Sequence, residues 1–217
     1  MTGVFDQGYL ALPATEKPAP AIMVIPAWWG LNAFFKQFCD RLAESGFVAF
    51  APDLYGGKVA ENIEQAKSFR DGLNSGKTKK LLRGSVEALR QHPHANGQPI
   101  SLIGFSLGAF QALSLLRDFP DQINAIVVFY GSRGGTYPNT QAAVLGHFAE
   151  SDPYESVNGQ KNLEKALKAA GASTTLYTYE GTGHWFFESN QPTAYNADAA
   201  KLAWERTIIF LKEHQRS

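Results

Sequence analysis

The pentapeptide Gly104-Phe105-Ser106-Leu107-Gly108 has the G-x-S-x-G pattern that places a serine on a sharp turn between a strand and a helix. An apolar run over 99–103 precedes it, and a helix-like stretch over 109–117 follows. The two glycines leave room for the tight turn, and the strained serine backbone holds the hydroxyl clear of the sheet. This context predicts that Ser106 is a nucleophile.

A serine hydroxyl is a weak nucleophile at neutral pH, so it needs a base within hydrogen-bond reach and an acid that orients the base. In strand-turn-helix hydrolases these follow in the order serine, acid, histidine. Asp152 comes after a predicted strand over 142–148, and His184 comes after the next predicted strand over 173–179. The later His214 lies near the end of the predicted last helix, too far from the strand ends. We therefore predict Ser106, Asp152 and His184 as the catalytic residues.

Glu150 is the alternative acid, because it lies two residues before Asp152 in the same loop. Asp152 is preferred, since Pro153 ends the strand geometry directly after it and exposes the loop. His147, inside an apolar run, is predicted to be structural.

The same reaction needs two backbone N–H groups that stabilise a negative oxygen. Leu107 follows the serine at a helix N-terminus and is predicted to supply one of them. Trp28, in the loop after the first core strand, is predicted to supply the other. Aromatic residues of the neighbouring loops are predicted to bind substrate: Trp29, Tyr55, Trp185 and Phe186.

Short apolar runs alternate with longer amphipathic segments along the whole chain, which is typical of an α/β fold. The runs are apolar throughout, as expected for buried parallel strands. They predict strands over 21–26, 47–51, 99–103, 125–130, 142–148 and 173–179, and helices over 33–45, 60–73, 78–91, 109–117, 159–170 and 194–213. The 217 residues suit one domain, 1–217, with a mostly parallel, doubly wound sheet and helices on both faces.

Composition argues against several classes of partner. Twenty basic and twenty acidic residues give zero formal net charge, and no Lys/Arg cluster exceeds Lys79-Lys80, so we expect no nucleic acid or membrane partner. Residues 1–10 lack a basic start and an apolar core, so we expect no secretory signal and a cytoplasmic protein. The single Cys39 is predicted to be a buried structural thiol. His92 and His94 are interpreted as residues of a solvated turn, so no metal site is predicted.

The chain resembles the dienelactone hydrolase family of α/β-hydrolases nearly end to end. The segments that carry this resemblance are 28–32 (WWGLN), 51–57 (APDLYGG), the turn at Ser106, 129–131 (FYG), the Asp152 loop, 183–187 (GHWFF) and the closing helix over 194–207. The resemblance implies an α/β-hydrolase fold and a hydrolase of small-molecule esters or lactones that uses no cofactor. Its name-giving reaction converts dienelactone to maleylacetate.

Three departures from the family pattern lie at the site. The well-known members carry a cysteine where this chain has Ser106, and a glutamate that is thought to help activate the thiol where it has Ala27. They also carry an arginine that binds the substrate carboxylate where this chain has Glu188. A serine activated directly by His184 does not need the lost glutamate. Glu188 would repel an anionic substrate, so we expect neutral esters or lactones rather than dienelactone.

Two other functions remain open at this point. The fold can serve as a non-catalytic binding protein for small molecules, because fold does not imply function. The same triad also cleaves thioesters or carbon–carbon bonds, and the sequence does not distinguish these reactions.

Overall fold

A computed structural model describes residues 3–215, in which seven strands form one sheet. The strands are β1 (Gly8–Ala11), β2 (Ala21–Ile25), β3 (Val48–Pro52), β4 (Ile100–Phe105), β5 (Ile123–Phe129), β6 (Ala143–Ser151) and β7 (Thr174–Gly183). Their order across the sheet is β1-β3-β2-β4-β5-β6-β7. β1 pairs antiparallel with β3, and the other neighbours pair in parallel. The predicted mostly parallel, doubly wound sheet is confirmed.

Helices cover both faces of this sheet. They are α1 (Ala33–Glu44), α2 (Ile63–Asp71), α3 (Ser75–Arg90), α4 (Leu107–Asp118), α5 (Val157–Ala169) and α6 (Ala197–Glu213), with short 3₁₀ helices at Val4–Gln7 and Pro120–Gln122. On one face α1 and α6 pack through Phe38 and Leu211. On the other face α3, α4 and α5 pack through Leu82, Leu113 and Leu163. Strands β2 to β5 are buried along their whole length, which explains their uninterrupted apolar runs.

The structure differs from the sequence prediction at the edge of the sheet, at helix starts, and at the ends of β6 and β7, which extend three and four residues beyond the predicted 148 and 179. β1 was not predicted, because a four-residue strand at an antiparallel edge, with three residues only partly buried, leaves little hydrophobic signal. α2 begins three residues later than predicted, after Asn62, whose side chain accepts the N–H of Gln65. α3 begins three residues earlier, after Asn74, whose side chain accepts the N–H of Lys77. Both asparagines are N-caps, a stronger start signal than the first apolar residue.

Two reactive side chains lie within the packed core. His147 on β6 is fully buried, and its ring nitrogens lie 2.8 Å from the Tyr179 hydroxyl and 3.0 Å from the Thr207 hydroxyl. Burial lowers the pKa of His147 to about 3, so the ring stays neutral and ties α6 to the sheet. Cys39 is also fully buried, and burial raises the pKa of its thiol. Both placements agree with the predicted structural roles.

The chain changes direction across the sheet between β2 and β4. From β2 it continues to β3 on one side, and it then crosses to β4 on the other side. Open α/β sheets bind ligands in the crevice beyond the carboxyl ends of such neighbouring strands. The loop after β2 and the turn after β4 therefore meet where a site is expected. Within residues 3–215, no helix has the length and apolar character needed to cross a membrane.

Candidate active site

Ser106 lies between the last residue of β4 and the first residue of α4, with φ 51° and ψ −111°. This strained conformation is rare for a residue with a side chain, and it points the serine out of the sheet edge. A Cβ at Gly108 would collide with the carbonyl oxygen of Ile25, and a Cβ at Gly104 would lie 2.6 Å from the backbone nitrogen of Ala109. The turn therefore requires both glycines of the pentapeptide.

The structure brings the three predicted catalytic side chains into one hydrogen-bonded chain. His184 Nε2 lies 3.0 Å from Ser106 Oγ, and His184 Nδ1 lies 2.7 Å from Asp152 Oδ2. The side chains of His184 and Asp152 are only 3% and 2% exposed, so the relay is shielded from water. When Nδ1 donates to Asp152, the lone pair of Nε2 is free to accept the serine proton.

The loop after β6 fixes the carboxyl group of Asp152. Its second oxygen, Oδ1, accepts the backbone N–H groups of Tyr154 at 2.8 Å and Glu155 at 3.0 Å. Glu150, the alternative acid, is exposed and instead accepts the N–H of Gly181 at the end of β7. Asp152 is therefore the carboxylate that orients the imidazole.

The two predicted oxyanion donors lie on facing elements. Leu107 is the first residue of α4, where a helix leaves its N–H without an intrahelical acceptor. Gly108 packs so closely on Ile25 and Pro26 that the start of α4 touches the loop carrying Trp28. Leu107 and Trp28 both line the cavity that contains Ser106. Their roles as N–H donors to a negative oxygen stay a prediction.

The cavity over Ser106 has a volume of about 330 Å³. Four of its lining residues were predicted from the sequence: Trp28, Ser106, Leu107 and His184. Seven were not: Arg70, Phe110, Tyr130, Gly131, Ser132, Tyr154 and Glu155. Tyr154 and Glu155 follow Asp152 directly, so their place in the acid loop was a usable signal. Arg70 and Phe110 lie on helices, and helical periodicity does not show which face meets a cavity.

The predicted substrate-binding aromatics lie outside this lining. Trp29 and Trp185 pack behind the cavity wall, with ring centroids 5.2 Å apart, and Trp29 also packs on Trp28 at 5.8 Å. Tyr55 lies beside a separate cavity with Phe69. Their contact with a substrate stays a prediction that this arrangement does not support.

Phe186 is fully buried between Tyr130 and Tyr179, with ring centroids 5.7 Å and 5.0 Å away. The prediction that Phe186 contacts substrate is therefore wrong, because apolar packing holds the ring inside the core. Phe186 supports Tyr130, which does line the cavity.

Glu188 also differs from expectation. Its side chain is fully buried and accepts a 2.7 Å hydrogen bond from the Tyr130 hydroxyl. Burial raises the pKa of Glu188 to about 8, so the carboxyl group is mostly protonated at neutral pH. Glu188 does not line the cavity over Ser106, so its predicted repulsion of an anionic substrate stays a prediction that this arrangement does not support. Glu155 is the acidic side chain that lines the cavity.

No group of three or more His, Cys, Asp or Glu side chains in residues 3–215 is arranged to hold a metal ion. The groups that the site presents are a serine hydroxyl, an imidazole hydrogen-bonded to it and a carboxylate hydrogen-bonded to the imidazole.

Comparison with known proteins identifies the family of this chain. The model of the dienelactone hydrolase family matches residues 7–215. The chain is 30% identical to protein usf of Aquifex pyrophilus, over 98% of this chain and 95% of that protein. It is 28% identical to a putative carboxymethylenebutenolidase of Aquifex aeolicus, again over 98% and 95% of the two chains.

A crystal structure of a putative dienelactone hydrolase from Klebsiella pneumoniae has the same fold. It superposes with a TM-score of 0.79 at 23% identity and covers 90% of this chain and 87% of that one. The family match spans nearly all of the described residues, including all the strands and the three hydrogen-bonded side chains. The chain therefore belongs to the dienelactone hydrolase family.

Proposed function

We propose that the protein is a serine hydrolase that cleaves carboxylic esters or lactones through an acyl-enzyme intermediate. The single observation that carries this proposal is the unbroken hydrogen-bonded chain from Ser106 Oγ through His184 to Asp152. Family membership supports the reaction class, since relatives of this chain are named carboxymethylenebutenolidase. A non-catalytic binding protein would not need a strained serine aligned with a base and an acid.

In the first half of the reaction, Ser106 Oγ attacks the ester carbonyl while His184 Nε2 takes the hydroxyl proton. The carbonyl oxygen becomes negative and accepts the N–H groups of Leu107 and Trp28. Asp152 holds the imidazole in position and stabilises its positive charge. Imidazolium then donates the proton to the leaving oxygen, and the acyl group remains on Ser106.

In the second half, water takes the place of the leaving group. His184 Nε2 removes a proton from this water, and the resulting hydroxide attacks the acyl carbon. Collapse of the second tetrahedral intermediate returns the proton from His184 to Ser106 Oγ and releases the acid. For a lactone the two halves are the same, except that the alcohol and the acid leave as one hydroxy acid.

The nucleophile is tested with Ser106→Ala and a panel of p-nitrophenyl esters and lactones, dienelactone included. We expect turnover to fall by about 10⁴- to 10⁶-fold while the fold is retained. Ser114→Ala is the matched control, because Ser114 lies on α4, which begins directly after Ser106, and its hydroxyl donates to the Phe110 carbonyl. Unchanged turnover in Ser106→Ala would contradict the proposal, and a folded wild-type protein that hydrolyses nothing in the panel would favour a binding protein.

The acid is tested with Asp152→Asn and Glu150→Gln. Both variants replace a carboxylate at the end of β6 with an amide, but only Asp152 bonds His184. We expect Asp152→Asn to lower kcat by about 10⁴-fold, because the amide favours the wrong imidazole tautomer, and Glu150→Gln to keep nearly full activity. The reverse result would assign the acid to Glu150.

A further inference from the structure

Glu155 lines the cavity together with Ser106 and His184, yet the proposed reaction does not use it. The charges of Asp152 and His184 both act on the pKa of its carboxyl group, so this group lies within electrostatic range of the catalytic side chains. Both of its oxygens are held by one residue. The backbone N–H of Ser132 donates to Oε2 at 2.8 Å, and the Ser132 hydroxyl donates to Oε1 at 2.7 Å. The backbone N–H of Glu155 itself donates to Asp152. The carboxyl group therefore has a fixed position at the site.

Ser132 holds this carboxyl group from a segment that packs against the backbone of Ser106. It follows Gly131, where a Cβ would lie 2.7 Å from the carbonyl oxygen of Ser106 and 3.3 Å from its Cα. On the other side, a Cβ at Gly159 of α5 would lie 2.5 Å from Glu155 Oε1 and 2.8 Å from Ser132 Oγ. The chain thus has glycine on both sides of the Ser132–Glu155 pair, where larger residues would displace it.

The Glu155 carboxyl group is held by hydrogen bonds from Ser132 and not by an ion pair within residues 3–215. Within the described part of the chain, no lysine or arginine forms an ion pair with it. Burial raises the pKa of Glu155, and the hydrogen bonds from Ser132 oppose that rise because they stabilise the ionised form. Arg70 also lines the cavity, but its side chain is 42% exposed and bonds Asp71 at 2.7 Å. Solvent and Asp71 therefore screen the charge of Arg70.

We propose, resting on the proposed ester hydrolysis, that Glu155 selects substrates by charge. It disfavours esters with a negative group near the scissile carbonyl, and it favours esters with a cationic or hydrogen-bond-donating group there. The physical reason is the Coulomb interaction of a fixed carboxylate with a substrate group held in the same cavity.

The test compares the wild type with Glu155→Gln on three 4-nitrophenyl esters of similar acyl length: the neutral pentanoate, the anionic glutarate monoester and the cationic 4-(trimethylammonio)butanoate. Glutamine is isosteric, and its amide oxygen still accepts from Ser132. We expect kcat/KM for the anionic ester, relative to the neutral ester, to rise by about tenfold in the variant. The same ratio for the cationic ester falls by a similar factor.

Two variants serve as controls. Glu164→Gln removes the same charge from the surface of α5, where Glu164 pairs with Lys168, and it leaves both ratios unchanged. Arg70→Gln shifts the ratios in the opposite direction and by less. Equal ratios in the wild type and Glu155→Gln would overturn the proposal.

Failure of the charge proposal and failure of the proposed function give different results. If the protein is not an esterase, none of the three esters is hydrolysed through Ser106. If only the charge proposal is wrong, all three esters are hydrolysed, and the kcat/KM ratios are the same in the wild type and in Glu155→Gln. If Glu155→Gln fails to fold, the proposal is tested by inhibiting the wild type with neutral, anionic and cationic alkylboronic acids. Weakest inhibition by the anionic compound supports the proposal, and equal inhibition by all three overturns it.

Discussion

Replacing Glu188 with glutamine should make the protein less sensitive to rising pH. The Glu188 carboxyl is fully buried, and of its two oxygens only Oε1 has a hydrogen-bond partner, the Tyr130 hydroxyl. Burial raises its pKa from 4.5 to about 8. Between these two values the folded protein keeps a proton that the unfolded chain releases, so the free energy of unfolding falls as pH rises through this range.

The size of this effect follows from the pKa difference. One pKa unit corresponds to about 1.4 kcal/mol, so the linked cost is about 1 kcal/mol at pH 5 and about 4 kcal/mol at pH 8. Glutamine has the same shape, keeps an acceptor for Tyr130 and does not titrate. Its amide also leaves polar atoms without partners, which costs about 1–3 kcal/mol at every pH. The informative quantity is therefore the change with pH and not the absolute stability.

The assay is urea unfolding of the wild type and Glu188→Gln at pH 5, 6, 7 and 8. The difference in unfolding free energy between variant and wild type should move in favour of the variant by about 3 kcal/mol from pH 5 to pH 8. Glu87→Gln, at an exposed carboxylate paired with Arg83, should show no such trend. Parallel pH profiles for Glu188→Gln and the wild type would refute the reasoning, because they would mean that the Glu188 carboxyl has the same pKa folded and unfolded.

Two further predictions concern the core and the start of α5. His147, with its pKa lowered to about 3, stays neutral while the unfolded chain protonates below pH 6.5, so stability is lost as pH falls from 6.5 towards 3. His147→Gln should lower the free energy of unfolding at pH 7. Urea unfolding should also show that the variant loses about 2 kcal/mol less of this free energy than the wild type between pH 7 and pH 5. An equal loss in both proteins would mean that another group causes it. Gly159→Ala should lower stability in thermal unfolding by about 1–3 kcal/mol, because the alanine Cβ would lie 2.5 Å from Glu155 Oε1. Gly84→Ala, in open space on α3, should instead stabilise by about 0.5–1 kcal/mol, and equal effects at both positions would contradict the close contact at Gly159.

The sequence was informative about the site at positions where a clear physical requirement limits which residue can be present. The glycines around Ser106 are needed because backbone approaches them closely, and Asp152 and His184 lie in loops at the carboxyl ends of parallel strands. The fold followed from the apolar runs, because strands buried on both faces have no polar alternation.

The sequence did not show which side chains near the site point into the cavity and which point into the core. Glu188 and Glu155 are both acidic residues in loops near the site, yet one is buried beneath Tyr130 and the other lines the cavity. Phe186 and Tyr154 are both aromatic, and only Tyr154 reaches the cavity. These differences depend on packing between elements far apart in the chain, which neither periodicity nor loop position encodes.

Covalent labelling with a fluorophosphonate tests the central claim, the activation of Ser106 by His184, most directly. Intact-mass measurement followed by peptide mapping should find one adduct, on Ser106, in the wild type and almost none in a folded His184→Ala variant. An adduct on another residue, equal labelling of both proteins, or no labelling of the folded wild type would contradict the account.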